Sequence, residues 1–302
     1  MESVQRLRLA DGSPVRAASA VVPLGDGFLV VQDDATNGVW FRTGSVAVVP
    51  LLPPVAGLEV FDEASGTKHL KPDLEAACAL EVDGAPALLM LGSGSHEARM
   101  RWSLLQVVAG RPHVRVADLA PLYADVAEAL SVPPDLLNLE GICRVGDALR
   151  WYQRGLPAAG VPAGSVDLAP EAAVGAALGT THPSEVGVRN PRRYDLGEVD
   201  GVGLGITDAV ALPDDRLVLL SAAAEDSPNP RDDGPVVASA LVRLRGHAVE
   251  VVAPLPRVEG RVSKVEGLML LDSDQGHARL LAVVDVDDPE APSVALRLRV
   301  RH

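Results

Sequence analysis

Apolar and polar positions alternate along much of the chain in short runs, broken by glycine, proline and aspartate. Runs of this kind predict β-strands. They come in pairs. A small or acidic residue opens a short apolar run, a turn follows, and a second run ends near Asp, Ser or Gly. Five copies are visible: residues 18–22 with 27–34, 73–77 with 87–95, 139–143 with 149–155, 207–211 with 216–221, and 265–269 with 280–285. Their lead residues are Ser19, Glu75, Glu140, Asp208 and Glu266, in steps of 56, 65, 68 and 58 residues. Such regular steps mark a repeated unit. The turns carry Gly25-Asp26-Gly27, Asp83-Gly84, Gly146-Asp147, Pro213-Asp214-Asp215 and Asp272-Ser273-Asp274. These residues tolerate φ > 0 or cap the turn locally.

Further alternating runs follow at 38–42 and 45–49, 101–105 and 113–116, and 238–244 and 248–252. Four strands per unit, repeated radially, predict an all-β, five-bladed β-propeller of antiparallel blades in a single domain. The last copy has its third strand at 293–300 and then the chain ends. Residues 4–10 supply the missing fourth strand, so an N-terminal strand closes the ring and pairs an open edge. Residues 53–72 form a long connection that leaves a six-bladed alternative open. Apolar positions 119, 122, 123, 126 and 130 have helical spacing and predict one short helix. The third blade is irregular between about 160 and 203, and 226–233 reads as a polar, proline-rich loop.

Composition narrows the function. The 302 residues are 47% hydrophobic and 23% charged, enough to bury a core. The net charge of −14 disfavours nucleic acid and anionic membranes, because phosphate affinity needs clustered cations. A small anionic molecule and a protein partner both stay open. No apolar run reaches the roughly 18 residues of a membrane span. The first residues lack the apolar core of a secretory signal, which gives a cytoplasmic expectation. Two cysteines cannot build a disulfide framework. Cys78 and Cys143 are expected to pack between blades as small hydrophobes. CxxC, HExxH, GxSxG and P-loop patterns are absent.

Equivalent positions on innermost strands face each other around a propeller axis. Ser19, Glu75, Glu140, Asp208 and Glu266 are therefore expected to ring one channel mouth. Close carboxylates repel, and a hard cation relieves the conflict; Ca²⁺ accepts six to eight oxygens in flexible geometry. A water-filled channel is the alternative. The second strand of each pair returns to the same mouth with Asp33, Asp34, Ser93, Arg154, Glu225, Asp226, Asp285 and Asp287. The turn Gly92-Ser93-Gly94-Ser95, with Arg99, is expected to cradle an anion through its N–H groups. Lys71 and Lys264 fall near this rim, either to meet an anionic substrate or to neutralise the acids. In the enzymatic reading Asp33, Asp34 or Glu75 is a general base, and Arg154 is a further catalytic candidate on the rim.

Several of these segments also carry a family likeness. Residues 18–21 with 30–34, Lys71-Pro72-Asp73-Leu74-Glu75-Ala76, Leu91-Gly92-Ser93-Gly94-Ser95, Asn138-Leu139-Glu140-Gly141 and Gly205-Ile206-Thr207-Asp208-Ala209 resemble a bacterial propeller family related to phytase-like and esterase-like propellers. More distantly, the pattern is similar to the calcium-activated nucleotidases (apyrases). That likeness implies a five-bladed ring with calcium in its channel, faced by Ser19, Glu75, Glu140, Asp208 and Glu266. Asp208 departs from it, because the apyrase pattern has Glu followed by Ser there. Three functions follow as expectations: a calcium-dependent phosphohydrolase, a non-enzymatic binding scaffold, and a lactonase or esterase with His96 at the mouth.

Overall fold

The structure is a computed structural model that describes all residues except 214–216, 228, 230–233, 275 and 287–290. The turn at Asp214-Asp215, the start of a strand at Arg216, most of the loop at 228–233 and Asp287 lie outside the described residues. The chain folds into five antiparallel sheets in a ring, and each sheet is one blade. Blade 1 holds β2 (Ala18–Leu24), β3 (Gly27–Gln32), β4 (Asn37–Arg42) and β5 (Ser45–Pro50). Blade 2 holds β6 (Leu74–Val82), β7 (Ala85–Gly92), β8 (Arg101–Val108) and β9 (Arg111–Asp118). Blade 3 holds β10 (Leu139–Val145), β11 (Ala148–Gln153), β12 (Ala163–Leu168) and β13 (Val188–Tyr194). Blade 4 holds β15 (Val202–Ala211), β16 (Leu217–Glu225), β17 (Val236–Arg245) and β18 (Ala248–Pro254), with the short β14 (Glu198–Val199) added beside β15. Blade 5 holds β19 (Lys264–Ser273), β20 (His277–Asp285) and β21 (Val294–Arg301), and β1 (Ser3–Arg6) completes it.

Ring closure follows the sequence reading. β1 pairs antiparallel with β21, Val4 opposite Leu296. The chain then crosses to blade 1 through Leu7, whose N–H bonds Ser293 O at 2.9 Å and whose carbonyl accepts from Val15 N at 3.1 Å. Leu7 is fully buried with Val15, Ala18, Val283 and Ala295. The six-bladed alternative fails. Residues 53–72 make isolated bridges and one 3-10 turn, Lys68–Leu70, and contain no strand. Pro53, Pro54 and Pro72 remove the donors that a ladder there would need.

The expected helix is present as α1 (Ala120–Leu130), with Leu122, Tyr123, Val126 and Leu130 buried. It packs into the cluster between blades 2 and 3, where the Tyr123 and Trp102 rings meet the Trp151 ring edge-on at 4.9 and 5.4 Å. A second helix, α2 (Pro170–Leu178), interrupts blade 3 between β12 and β13 and had no periodic signal in its alanine-rich sequence. No helix among the described residues is long and apolar enough to cross a membrane.

One irregularity recurs and sets up the site. In each innermost strand the register against the second strand slips by one residue, near the start in four of them and mid-strand in β15. The slips fall between 18 and 20, 74 and 76, 139 and 141, 206 and 208, and 265 and 267. A bulge leaves one residue out of the ladder and bends the strand locally. The glycines just after two of these bulges permit close blade approach. A Cβ on Gly141 would lie 3.1 Å from Asp208 Cα, and one on Gly267 would lie 2.8 Å from Val21 N.

The crossing from β1 to blade 1, rather than the exposed strand itself, should carry much of the stability of the closure. Leu7→Ala is expected to cost about 2–5 kcal/mol, as for other buried leucines. Urea unfolding with an unchanged m-value checks this; an effect below about 1 kcal/mol would mean that the closure is dispensable.

Candidate functional site

The five residues left out of the ladder are Ser19, Glu75, Glu140, Thr207 and Glu266. Ser19, Glu75, Glu140 and Glu266 line a cleft of about 210 Å³ at one channel mouth. The hydroxyls of the set are spent on joining blades. Ser19 Oγ donates to Leu74 O at 2.6 Å, and Thr207 Oγ1 donates to Val265 O at 2.5 Å. The three glutamates are left to face the opening. Ends of the second strands complete the rim. Their backbone is locked twice: Asp33, Ser93 and Arg154 N–H groups bond the carbonyls of Ala17, Asp73 and Asn138, at 3.1, 3.0 and 2.8 Å. Their own carbonyls accept from the next blade, through Asp73 N, Leu139 N and Ile206 N at 3.1, 2.8 and 3.0 Å. Side chains on this rim are therefore held by main chain on both sides.

Charge alternates around the mouth. Lys71 Nζ is bonded to Asp33 and lies 2.8 Å from Asp73 Oδ1. Arg154 reaches Glu140 at 2.8 Å and Glu225 at 2.5 Å. Lys264 reaches Glu225 and Glu266, both at 2.8 Å. Burial alone would raise Asp73 and Glu225, but Lys71 and Arg99 hold the first at about 2, and Arg154 and Lys264 hold the second at about 2. Other acids go the opposite way. Burial pushes Glu266 up to about 8, against Lys264. Burial and the neighbouring Asp33 push Asp34 up to about 7. Burial, with Asp73 and Asp33 close by, raises Glu75 well above its ordinary value. Carboxyls of one cleft are thus split between locked anions and groups that keep a proton.

Sequence-expected residues divide accordingly. Asp33, Asp34, Arg99 and Arg154 do line the cleft with Ser19, Glu75, Glu140 and Glu266. Asp208 does not. The bulge falls at Thr207, so Asp208 returns to the ladder opposite Ser221 and turns toward blade 5. It is 3% exposed, accepts from Leu268 N at 2.6 Å through Oδ2, and leaves Oδ1 without a partner. Burial raises its pKa well above the ordinary value. The anion cradle is also corrected. Ser93, Gly94 and Ser95 are buried, and their N–H groups are already spent on Asp73 O, Arg99 O and Ser93 Oγ at 3.0, 3.2 and 3.2 Å. Arg99, 2.9 Å from Asp73 Oδ2, is committed to the same knot. His96 is exposed, accepts from Ala98 N at 3.3 Å, and is not among the residues that line the cleft. Cys78 and Cys143 pack in the clusters between blades 2 and 3 and blades 3 and 4, as expected. Burial pushes the Cys78 thiol up to about 12.

Two residues matter more than the sequence suggested. Asp73 is the hub for Lys71, Arg99, Ser93 and Ser95, and sits at φ 58°. Asn138 donates to Glu140 Oε1 at 2.6 Å. Both precede a bulged glutamate by two residues, as Lys264 does. That second recurrent polar position was the signal available in the sequence.

A calcium ion would need free oxygens. Asp33, Asp73 and Glu75 offer one oxygen each within 4.8 Å of one another. Lys71 already stands on two of them, so the trio as arranged does not fit a divalent ion.

Comparison with known proteins gives a family. The model of a family of unknown function, DUF6910, matches residues 67–289, and the chain belongs to that family. No curated protein matches the sequence. Among solved structures, a GH43 β-1,3-galactosidase with galactodeoxynojirimycin is similar at TM-score 0.50 and 10% identity, over 98% of this chain and 94% of that one. The glutaminyl cyclase of Myxococcus xanthus is similar at TM-score 0.49 and 9% identity, over 98% and 97%. A GH43 endo-arabinanase from Bacillus licheniformis follows at TM-score 0.47 and 9% identity, over 97% and 96%. At such identities the galactosidase supports the fold alone.

Asp208 generates a stability prediction. The folded state keeps its proton above the ordinary 3.8, so stability is lost as pH rises from about that value toward the raised one. Asp208→Asn stays neutral throughout. Its unfolding free energy is expected to match the wild type near pH 4 and exceed it at pH 8 by ~1 kcal/mol or more, read as a higher melting temperature. Parallel melting curves across that range would contradict the assignment.

Proposed function

For a member of this family, we propose that the channel mouth is the active site of a hydrolase that cleaves a glycosidic bond in a small saccharide by carboxyl acid–base chemistry. One observation carries the reading. The Asp34 and Glu75 carboxyls face the cleft with no hydrogen-bond donor among the described residues, whereas the other acids of the mouth are paired. Unpaired acids at an opening are the ones free to meet a substrate. Other nucleophile chemistries lack parts here. No histidine is among the residues that line the cleft, both thiols lie behind it, and the Ser93 and Ser95 hydroxyls are tied to Asp73. Two carboxyls suffice for glycoside hydrolysis. Glu75, raised well above its ordinary value, keeps a proton to give to the leaving oxygen. Asp34, at about 7, is poised to take one from water. Asp33, Lys71 and Arg154 hold the wall around them and hydrogen-bond sugar hydroxyls.

A second reading keeps the calcium-dependent phosphohydrolase and the apyrase likeness. It rests on the spacing of Asp33, Asp73 and Glu75, and requires Lys71 to leave them. The lactonase reading lacks its histidine at the mouth. The scaffold reading predicts no turnover at all.

A panel of p-nitrophenyl glycosides, with p-nitrophenyl phosphate plus calcium and a nitrophenyl ester beside it, separates these. The expected outcome is glycoside turnover that rises as pH passes about 7, where Asp34 ionises. Glu75→Gln and Asp34→Asn should each lower kcat/KM about 100-fold or more without lowering the melting temperature. Wild-type activity in both variants, or activity with the phosphate alone, would reject the proposal.

A further inference from the structure

Each glutamate of the ring feels a cation from the chain itself: Arg154 bonds Glu140, Lys264 bonds Glu266, and the Lys71 charge acts on Glu75 without bonding it. The case of Lys71 is the sharpest, because its carboxylates are grouped as metal ligands would be. Asp33, Asp73 and Glu75 come from three different places: the end of β3, the residue before β6, and the β6 bulge. One oxygen of each lies within 4.8 Å of the others. Into this group the backbone delivers an ammonium. Lys71 follows the 3-10 turn Lys68–Leu70, and its N–H closes that turn on Lys68 O at 3.1 Å. Pro72 excludes the helical conformation, and Lys71 takes φ −56°, ψ 137°. The turn stops there, and the side chain enters the mouth with only 13% of its surface exposed. The aspartate after Pro72 is at φ 58° and bonds the ammonium through Oδ1 while Oδ2 takes Arg99.

We propose that the Lys71 ammonium is a built-in replacement for a channel cation: it occupies the position that Asp33, Asp73 and Glu75 would otherwise offer to a divalent ion, so that the mouth is balanced without metal, and its removal creates a calcium site. The inference holds whatever bond the mouth turns over, since it concerns charge balance alone. Physically, close carboxylates need a counter-charge, and a tethered one comes without the entropy of capturing an ion. Two of the ammonium's three donors are accounted for by Asp33 and Asp73, and its charge also acts on Glu75 without a bond. The two positive charges of calcium would need the ammonium displaced, because like charges would share one group of oxygens.

The test compares calcium binding by calorimetry in the wild type, Lys71→Ala, Lys71→Arg and Glu75→Gln, each on the full chain. The wild type should show no calcium uptake that Glu75→Gln removes. Lys71→Ala should bind one calcium at least ~10-fold more tightly than the wild type and gain melting temperature with it, by mass action. Lys71→Arg should behave as the wild type. If Lys71→Ala does not fold, Lys71→Gln replaces it with most of the stem retained. Wild-type binding of one calcium that Glu75→Gln abolishes would overturn the proposal. A folded Lys71→Ala or Lys71→Gln without gained calcium affinity would overturn it equally. A merely structural lysine would lower stability in these variants but would not create a metal response.

Discussion

The structure depends on one electrostatic constraint. Closing five twisted sheets around an axis brings the starts of five innermost strands together, and three of those starts carry glutamate at the bulge. Like charges held by backbone cannot move apart. They must be neutralised by protons or by cations, and the chain supplies both. Lys71, Arg154 and Lys264 bridge neighbouring blades through Asp33, Asp73, Glu140, Glu225 and Glu266. What remains unbalanced is held as protonated carboxyl.

This arrangement links stability with chemistry. Arg154 joins blade 3 to blade 4 by bonding Glu140 and Glu225, and Lys264 joins blade 4 to blade 5 by bonding Glu225 and Glu266. The same pairs tune the acids that face the cleft. Buried pairs are costly to break singly, since the survivor is left charged and dry. Substitutions of paired residues therefore report on folding as much as on function. Asp34 and Glu75, which lack such partners, are where function can be tested more cleanly.

The backbone explains why the rim is stiff. In blades 1, 2 and 3 the end of the second strand is bonded both to its own blade and to the next one. The hydroxyls of Ser19 and Thr207 add inter-blade bonds at the level of the bulges. The 53–72 segment forms one outer wall, anchored where Phe61 N bonds Asp34 O at 2.8 Å and the Phe61 ring is buried. A side chain such as Asp34 is thus positioned from behind by a segment that belongs to no blade.

Repetition is what made this fold legible. Alternating runs at near-constant steps gave the blade count, the closing N-terminal strand, the α1 helix and four of the five axial positions, because each depends on local periodicity and turn residues. The register of the fourth blade was decided otherwise. Thr207 and Asp208 are both polar and adjacent, and which one bulges depends on pairing with β16, a contact made with residues several positions away. A one-residue slip moved Asp208 from the channel into the space between blades. In the same way Gly92-Ser93-Gly94-Ser95 reads as an open anion loop until Tyr123 and Asp73 close over it, and a Cβ on Gly94 would meet the Tyr123 ring at 2.4 Å. Strand identity is local in the chain, so the sequence by itself determined it. The pairing of charges is a property of space, so only the tertiary structure decided which acids keep a proton, which take a lysine or arginine, and which point away.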